Sequence, residues 1–317
     1  VQPNDHELVF RLANLEASKG ALDEAILLLE GIPTTAPEAG LPALGQAAQW
    51  CMQSERYDDA EKKYRQLVEL IPDESLVRRE LAKLLNRQGR RHEAAEHLRH
   101  LCRLGDIQQQ ELAALLSLSD AVYFLSDSTG ESQGAVPQGS VSQDAEPKDE
   151  TPIGLSGEAR CYFTERQYDK AVETLTQDLP RVQSIASMNA FYGRTLAEAQ
   201  REEDFLQWLS TTDEATRDHA EYWAAVGAYL IDQQQYEEAV RALGEAIRRD
   251  VSDARSSRRM YQALIALGEE EQAKKWFDRF RLVRDVTLAS KGISDSRGQD
   301  PQAFADLIAS LDRLERP

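Results

Sequence analysis

Very little in this chain could hold a metal ion, a phosphate group or a disulfide. Its 317 residues include three cysteines, Cys51, Cys102 and Cys161, which lie far apart and form no C-x-x-C pair. That spacing excludes a disulfide framework and suits small apolar residues buried on helices. No apolar run approaches the roughly 20 residues that a membrane-spanning helix needs. Short runs such as 25–29 and 113–116 suit the faces of short helices. A Gly-rich phosphate loop, G-x-S-x-G and H-E-x-x-H are all missing, so neither catalysis nor a cofactor is expected. No basic segment leads into an apolar one at the start, and the chain opens Val1-Gln2-Pro3 without a methionine. That opening suits a processed or excised piece, and a soluble protein of unread compartment is the expectation.

Positive charge is scarce as well. Against 55 acidic residues stand 37 basic ones, for a net charge of −18. A field of that sign repels nucleic acid and leaves a protein or peptide as the expected partner. Excess acid also keeps a high-surface protein in solution. The nearest approach to a metal set is His92, His97 and His100 beside Cys102. No carboxylate converges on them, so a solvated histidine face is expected and no metal site. The run Glu269-Glu270-Glu271 suits a helix start, where carboxylates complement exposed N–H groups. Trp223 and Phe277 are expected in the core, and Trp50 and Trp208 partly exposed.

What is present is a period. Alanines recur at Ala25, Ala60 and Ala94, then at Ala171, Ala239 and Ala273, with Phe205 filling the missing step between 171 and 239. Steps are 34 or 35 residues within each half. Twelve residues before each lies Ala13, Ala48, Ala82, Ala159, Gly193, Gly227 or Tyr261, small in every case but the last. Four residues after each lies a large apolar residue: Leu29, Tyr64, Leu98, Leu175, Leu209, Leu243 or Phe277. Small residues let two helices of a hairpin approach closely, and large ones fill the groove opposite. Pro3, Pro37 and Pro72 fall where successive units must stop, and Gly20, Gly89 and Gly268 precede second helices. Elsewhere Glu55-Arg56 and Gln234-Gln235 occupy that turn.

The segment Trp223, Val226, Gly227, Leu230, Tyr236, Ala239, Leu243 and Ala246 resembles the tetratricopeptide repeat, a 34-residue helix–turn–helix. The resemblance covers residues 6–104 and 153–285, and departs from the pattern at Glu16, Glu158 and Phe205. It implies an all-α fold, an α-α superhelix (tetratricopeptide solenoid) of about seven repeats with a central inserted helix and loop. First helices are expected near 6–18, 41–54, 75–88, 154–166, 185–199, 219–233 and 254–267. Second helices are expected near 21–31, 57–70, 91–103, 168–177, 202–210, 236–249 and 270–288. Bulky Phe205 should widen its own hairpin.

Between the halves, 94 to 171 exceeds two periods by nine residues. An extra helix over 108–118 fills part of it, and the Ser-, Gly- and Asp-rich stretch 127–152 reads as a flexible linker or long loop. The expected organisation is therefore an N-terminal block 1–126, the linker 127–152, and a C-terminal block 153–317. A last amphipathic helix over 301–314, with Phe304, Leu307, Ile308 and Leu311 on one face, has no evident partner.

In the family that this chain resembles, first helices line the concave face. Its offsets fall on Asn14, Gln46, Gln49, Arg79, Lys83, Asn86 and Arg87 in the first half. In the second half they fall on Arg160, Phe163, Arg194, Arg255, Arg258, Arg259 and Gln262, with Glu198, Glu221 and Asp232 opposing. Arg79, Lys83, Arg87, Arg160, Arg194, Arg255, Arg258 and Arg259 are therefore the candidate groove contacts, suited to an acidic segment. The carboxylate clamp of some family members is absent, since its offsets hold Phe10, Asn14, Gln46, Leu76 and Glu80 and only Asn14 agrees. The resemblance implies a protein–protein interaction scaffold gripping a peptide or protein segment. The alternative is a structural spacer arm of a larger multidomain protein.

Overall fold

A computed structural model describes residues 6–108, 111–112, 114–115, 152–295 and 301–313. These residues form α-helices and no strand. The first six helices are α1 (His6–Ser18), α2 (Leu22–Glu30), α3 (Gly40–Gln53), α4 (Tyr57–Leu70), α5 (Ser75–Arg87) and α6 (Arg91–Leu104). The next six are α7 (Gly154–Thr164), α8 (Tyr168–Thr176), α9 (Leu179–Ser184), α10 (Ala186–Glu198), α11 (Glu202–Thr211) and α12 (Glu214–Arg217). The last five are α13 (Ala220–Asp232), α14 (Tyr236–Arg249), α15 (Ala254–Ala266), α16 (Glu270–Asp295) and α17 (Pro301–Arg313). Most of the expected 108–118 helix and the 127–152 linker, apart from Pro152, lie outside the described residues. Contacts group the chain into two compact units, 1–86 with 93–107, and 87–92 with 108–317.

Each hairpin closes on one residue in the left-handed backbone region. Gly20, Glu55, Gly89, Arg166, Gln200, Gln234 and Gly268 all have φ between 57° and 85°. After Gly20, Glu55, Arg166, Gln200, Gln234 and Gly268, the following N–H reaches back to a carbonyl five residues earlier, as Ala21 to Glu16 at 3.1 Å and Gln235 to Leu230 at 2.8 Å. This is the Schellman closure, which satisfies carbonyls that a helix end leaves open. Glycine reaches that conformation freely, whereas an L-residue meets its own carbonyl there.

The periodic positions are the core. Ala25, Ala60 and Ala94 in the first unit, and Ala171, Ala239 and Ala273 in the second, are fully buried. Phe205 is buried too, stacked on Tyr229 with ring centroids 4.8 Å apart. Gly193 on the partner helix makes room for Trp208: a Cβ there would lie 2.1 Å from the Trp208 ring. Trp208 is thereby buried, its indole N–H donating to the Asn189 carbonyl at 3.1 Å and to its Oδ1 at 3.0 Å. Trp50 is buried as well, so neither tryptophan shows the partial exposure expected of it.

Four further differences from the sequence reading have physical causes. Phe277 is not core but 41% exposed, because bulky Tyr261 stands where other hairpins have alanine or glycine, 5.3 Å away by ring centroids. The short helices α9 and α12 were not anticipated; Asp178 and Asp213 cap them by accepting from the N–H of Arg181 and Thr216. Helix α16 runs to Asp295, well past 288. Helix α17 has a partner after all, packing Ala303 and Leu307 against Val283 and Val286 of α16, and it leaves Ile308 exposed.

Two substitutions test this frame. Gly193→Ala must displace the Trp208 ring and should destabilise the chain by about 1–3 kcal/mol in urea unfolding. A Cβ on Gly268 would meet nothing within 4 Å. Gly268→Ala should therefore report the left-handed backbone penalty alone, about 1–2 kcal/mol, and Gln234→Gly should not destabilise its hairpin.

Candidate functional site on the first helices

The candidate residues divide by what their side chains already touch. In the first unit, Arg79 on α5 donates to the Asp106 carbonyl, with the Asp106 carboxylate at 3.6 Å. Lys83, one turn on, reaches Glu80 at 3.3 Å and keeps much of its side chain in water. Asn14 bonds its own helix at Phe10, and Gln46 bonds Gln49. Arg87 belongs to the second unit and is half-buried, its carbonyl accepting the Ile153 N–H at 3.0 Å.

The C-terminal arginines form something other than an open strip. Arg160 on α7 is only 3% exposed. Its guanidinium forks onto both oxygens of Glu221 on α13, donates to the Gly89 carbonyl at 3.2 Å, and lies 3.4 Å above the Phe191 ring centroid. Arg194 on α10 is equally buried, 3.6 Å from Glu221 and 2.9 Å from both oxygens of Asp253. Asp253 also caps α15, accepting from the N–H groups of Arg255 and Ser256 and from the Ser256 hydroxyl. Arg259 on α15 makes a two-pronged contact with Glu198 of α10 at 2.7 and 2.8 Å. Arg255 spans back to the Tyr168 hydroxyl at 2.6 Å and stands 4.6 Å over the Phe163 ring. Arg258 alone of these five is solvent-exposed, with no ion pair or hydrogen bond among the described residues.

A further pair joins the same unit: Arg91 contacts Asp250 at 2.8 Å, and Asp250 also receives the Ser252 N–H. Arg91, Asp250, Asp253 and Tyr168 were not singled out from the sequence. An Asp one residue before a periodic helix is the ordinary capping signal, and it could have found Asp253.

Burying such charges is costly unless every one is paired. Burial opposes ionisation of Glu221, but Arg160, Arg194 and Arg91 overcome it and hold its carboxyl down to about 2, from 4.5. Asp253 and Glu198 are likewise penalised by burial and held below the usual carboxylate range by their arginines. These carboxylates are paired with guanidinium groups, and the role this arrangement supports is structural.

The histidines do not form a solvated face. His97 is buried, its Nδ1 3.5 Å from Arg78, and burial together with that cation pushes its pKa to about 4. His92 belongs to the second unit, where burial lowers its pKa, and His100 meets Asp73 at 3.0 Å. Among the described residues, no group of three His, Cys, Asp or Glu could hold a metal ion, and no helix is long and apolar enough to cross a membrane. A cleft of about 150 Å³ beside Phe205, Tyr229 and Asp232 is smaller than the roughly 300 Å³ at which ligand pockets begin.

Stacked helical hairpins closed by one recurrent turn define a repeat scaffold. Residues 52–106 match the family model described as tetratricopeptide repeat. On that segment, and on the register its hairpins share, the chain resembles the tetratricopeptide repeat family. No curated protein matches it by sequence. Among solved structures, yeast Tom70 aligns over 98% of this chain and 69% of its own, at 13% identity and a TM-score of 0.31. The TPR2AB domain of yeast Sti1, solved as a pHSP90 complex, aligns over 96% of this chain and 98% of its own, at 14% and 0.29. Cut9, from the APC/C hetero-tetramer with Hcn1, aligns over 96% and 65%, at 13% and 0.35. Scores that low carry nothing about this chain's site.

Two measurements test the ion network. Arg160→Ala leaves Glu221 buried without its fork and should cost about 3–5 kcal/mol in urea unfolding. Because folding lowers the Glu221 pKa, the unfolded chain takes up its proton first, so its contribution is present above about pH 4.5 and drains away towards pH 2. Thermal midpoints should fall across that window, and Glu221→Gln should be less stable at neutral pH with a shallower fall.

Proposed function

We propose that this chain is a protein-interaction scaffold that holds an acidic polypeptide segment against its first helices. The observation that carries the reading is the division among its first-helix cations. Arg160, Arg194, Arg255 and Arg259 are spent on internal partners and make a stiff floor, whereas Arg258 stands exposed. An exposed arginine on a rigid element is well placed for charge-assisted bonds to a carboxylate. The net charge of −18 supplies no long-range attraction for acid, so recognition on this reading depends on short-range contacts.

The test is selection of random 16-residue peptides displayed against the folded chain. Enriched sequences should be acidic, and their affinity should drop as salt rises and the screening length shortens from about 10 Å at 0.1 M to 3 Å at 1 M. Failure to enrich any acidic peptide would overturn the reading and favour a spacer arm.

A further inference from the structure

Unit two exposes a surface that the buried network does not use. Helices α15 and α16 run antiparallel through the Gly268 turn, and their outer face carries two parallel rows. On α15 the row is Arg258, Tyr261 and Ile265, at i, i+3 and i+7; on α16 it is Lys274, Phe277 and Arg281, at i, i+3 and i+7. Those spacings place each trio on one side of its helix. The Tyr261–Phe277 contact at 5.3 Å shows that the two rows adjoin. Phe277 is 41% exposed and Ile265 46% exposed. Phe280 extends the aromatic ridge, its ring centroid 6.4 Å from Phe277.

Three cations flank this ridge, and Asp278 is exposed beside Phe277. Arg258, Lys274 and Arg281 are exposed, and none has an ion pair or hydrogen bond among the described residues. In this unit carboxylates neutralise Arg91, Arg160, Arg194 and Arg259. Three unpaired cations thus bracket exposed aromatic surface in a chain of net charge −18. The acidic run Glu269-Glu270-Glu271 lies at the hairpin end of the strip, and antiparallel packing puts Arg258 and Arg281 towards the other end. The strip is thus polar along its length: acid at the turn, aromatic in the middle, arginine beyond.

We infer that the α15–α16 face docks an acidic amphipathic helix of another polypeptide, with an apolar residue seated on Tyr261 and Phe277 and carboxylates on Arg258 and Arg281. A docked amphipathic helix presents its apolar anchors at i, i+3 or i+4, and i+7, along one face. Arginine supplies forked bonds to carboxylate, and the aromatic pair supplies the desolvated centre that such interfaces rely on. The free cations set the partner's sign, since an apolar helix with basic flanks would meet repulsion at Arg258, Lys274 and Arg281. This deepens the scaffold reading and rests on it, placing the contact on one hairpin face in place of a groove running along all first helices.

The probe is a synthetic 18-residue helical peptide with Leu or Phe at i, i+3 and i+7 and Glu on both flanks, labelled and titrated by fluorescence anisotropy. Wild type should bind it, and Arg258→Glu/Arg281→Glu should weaken binding at least tenfold. Phe277→Ser should do the same, with circular dichroism and thermal midpoint reporting that the fold persists. Because Arg258 and Arg281 are exposed and unpaired, the charge variant keeps the test valid even if Phe277→Ser loosens the hairpin. A peptide with Lys flanks should not bind, and Lys62→Glu on α4 should leave affinity unchanged. If acidic peptides bind but ignore Arg258, Arg281 and Phe277, the docking face is refuted while the scaffold reading stands. If sedimentation shows a dimer that Phe277→Ser dissociates, the occupant is a second copy and the inference falls.

Discussion

Glu221 is the carboxylate on which the second unit turns. It lies on α13, is buried, and answers guanidinium groups from two other first helices, Arg160 of α7 and Arg194 of α10. Arg194 passes the chain on to Asp253, whose second task is to cap α15. One line of alternating charge thus touches all four first helices of the unit. Its members are too buried to fall back on water, so each depends on the next for its ionised form. This line fixes which side chains can face outward, and so leaves Arg258 as the exposed cation of its row.

The apolar register was legible because it rests on size alone. A position that tolerates only alanine or glycine in six of seven hairpins can be found by counting, and every one of those alanines is buried. The turns were legible for the same reason at Gly20, Gly89 and Gly268, where the backbone demands φ above zero. The short helices were not, since they interrupt the period without disturbing the residues that define it.

Side-chain polarity misled at several places, each time because a local rule omits a neighbour. Arginine is ordinarily an exposed residue, and offsets along one helix cannot say that a carboxylate two hairpins away will cover it. Yet a trace was there: Arg160 pairs with Glu221, Arg194 with Asp253 and Glu198 with Arg259, at separations of 61, 59 and 61 residues. Opposite charges recurring at that spacing, somewhat short of two repeat lengths, are a signal that the 34-residue search passes over. Phe277 failed in the opposite sense. Its own position is a core position, but Tyr261 across the hairpin takes the room that it would fill.

Repeat arrays usually behave as a row of dominoes, each unit stabilised by itself and its immediate neighbours. The ion pairs of the second unit do not respect that arithmetic. Arg160 and Glu221 belong to hairpins with another between them, as do Arg194 and Asp253. Arg255 reaches further still, from α15 to the Tyr168 hydroxyl on α8. A growing nucleus of two hairpins would hold half of these charges buried or stranded, with their partners not yet docked. Partial structures are therefore penalised, and fraying from the α15 end uncovers Arg194 and Glu198 deep in the stack. Folding of this unit should gain the all-or-none character of a globular domain, even though its chain is built by simple repetition.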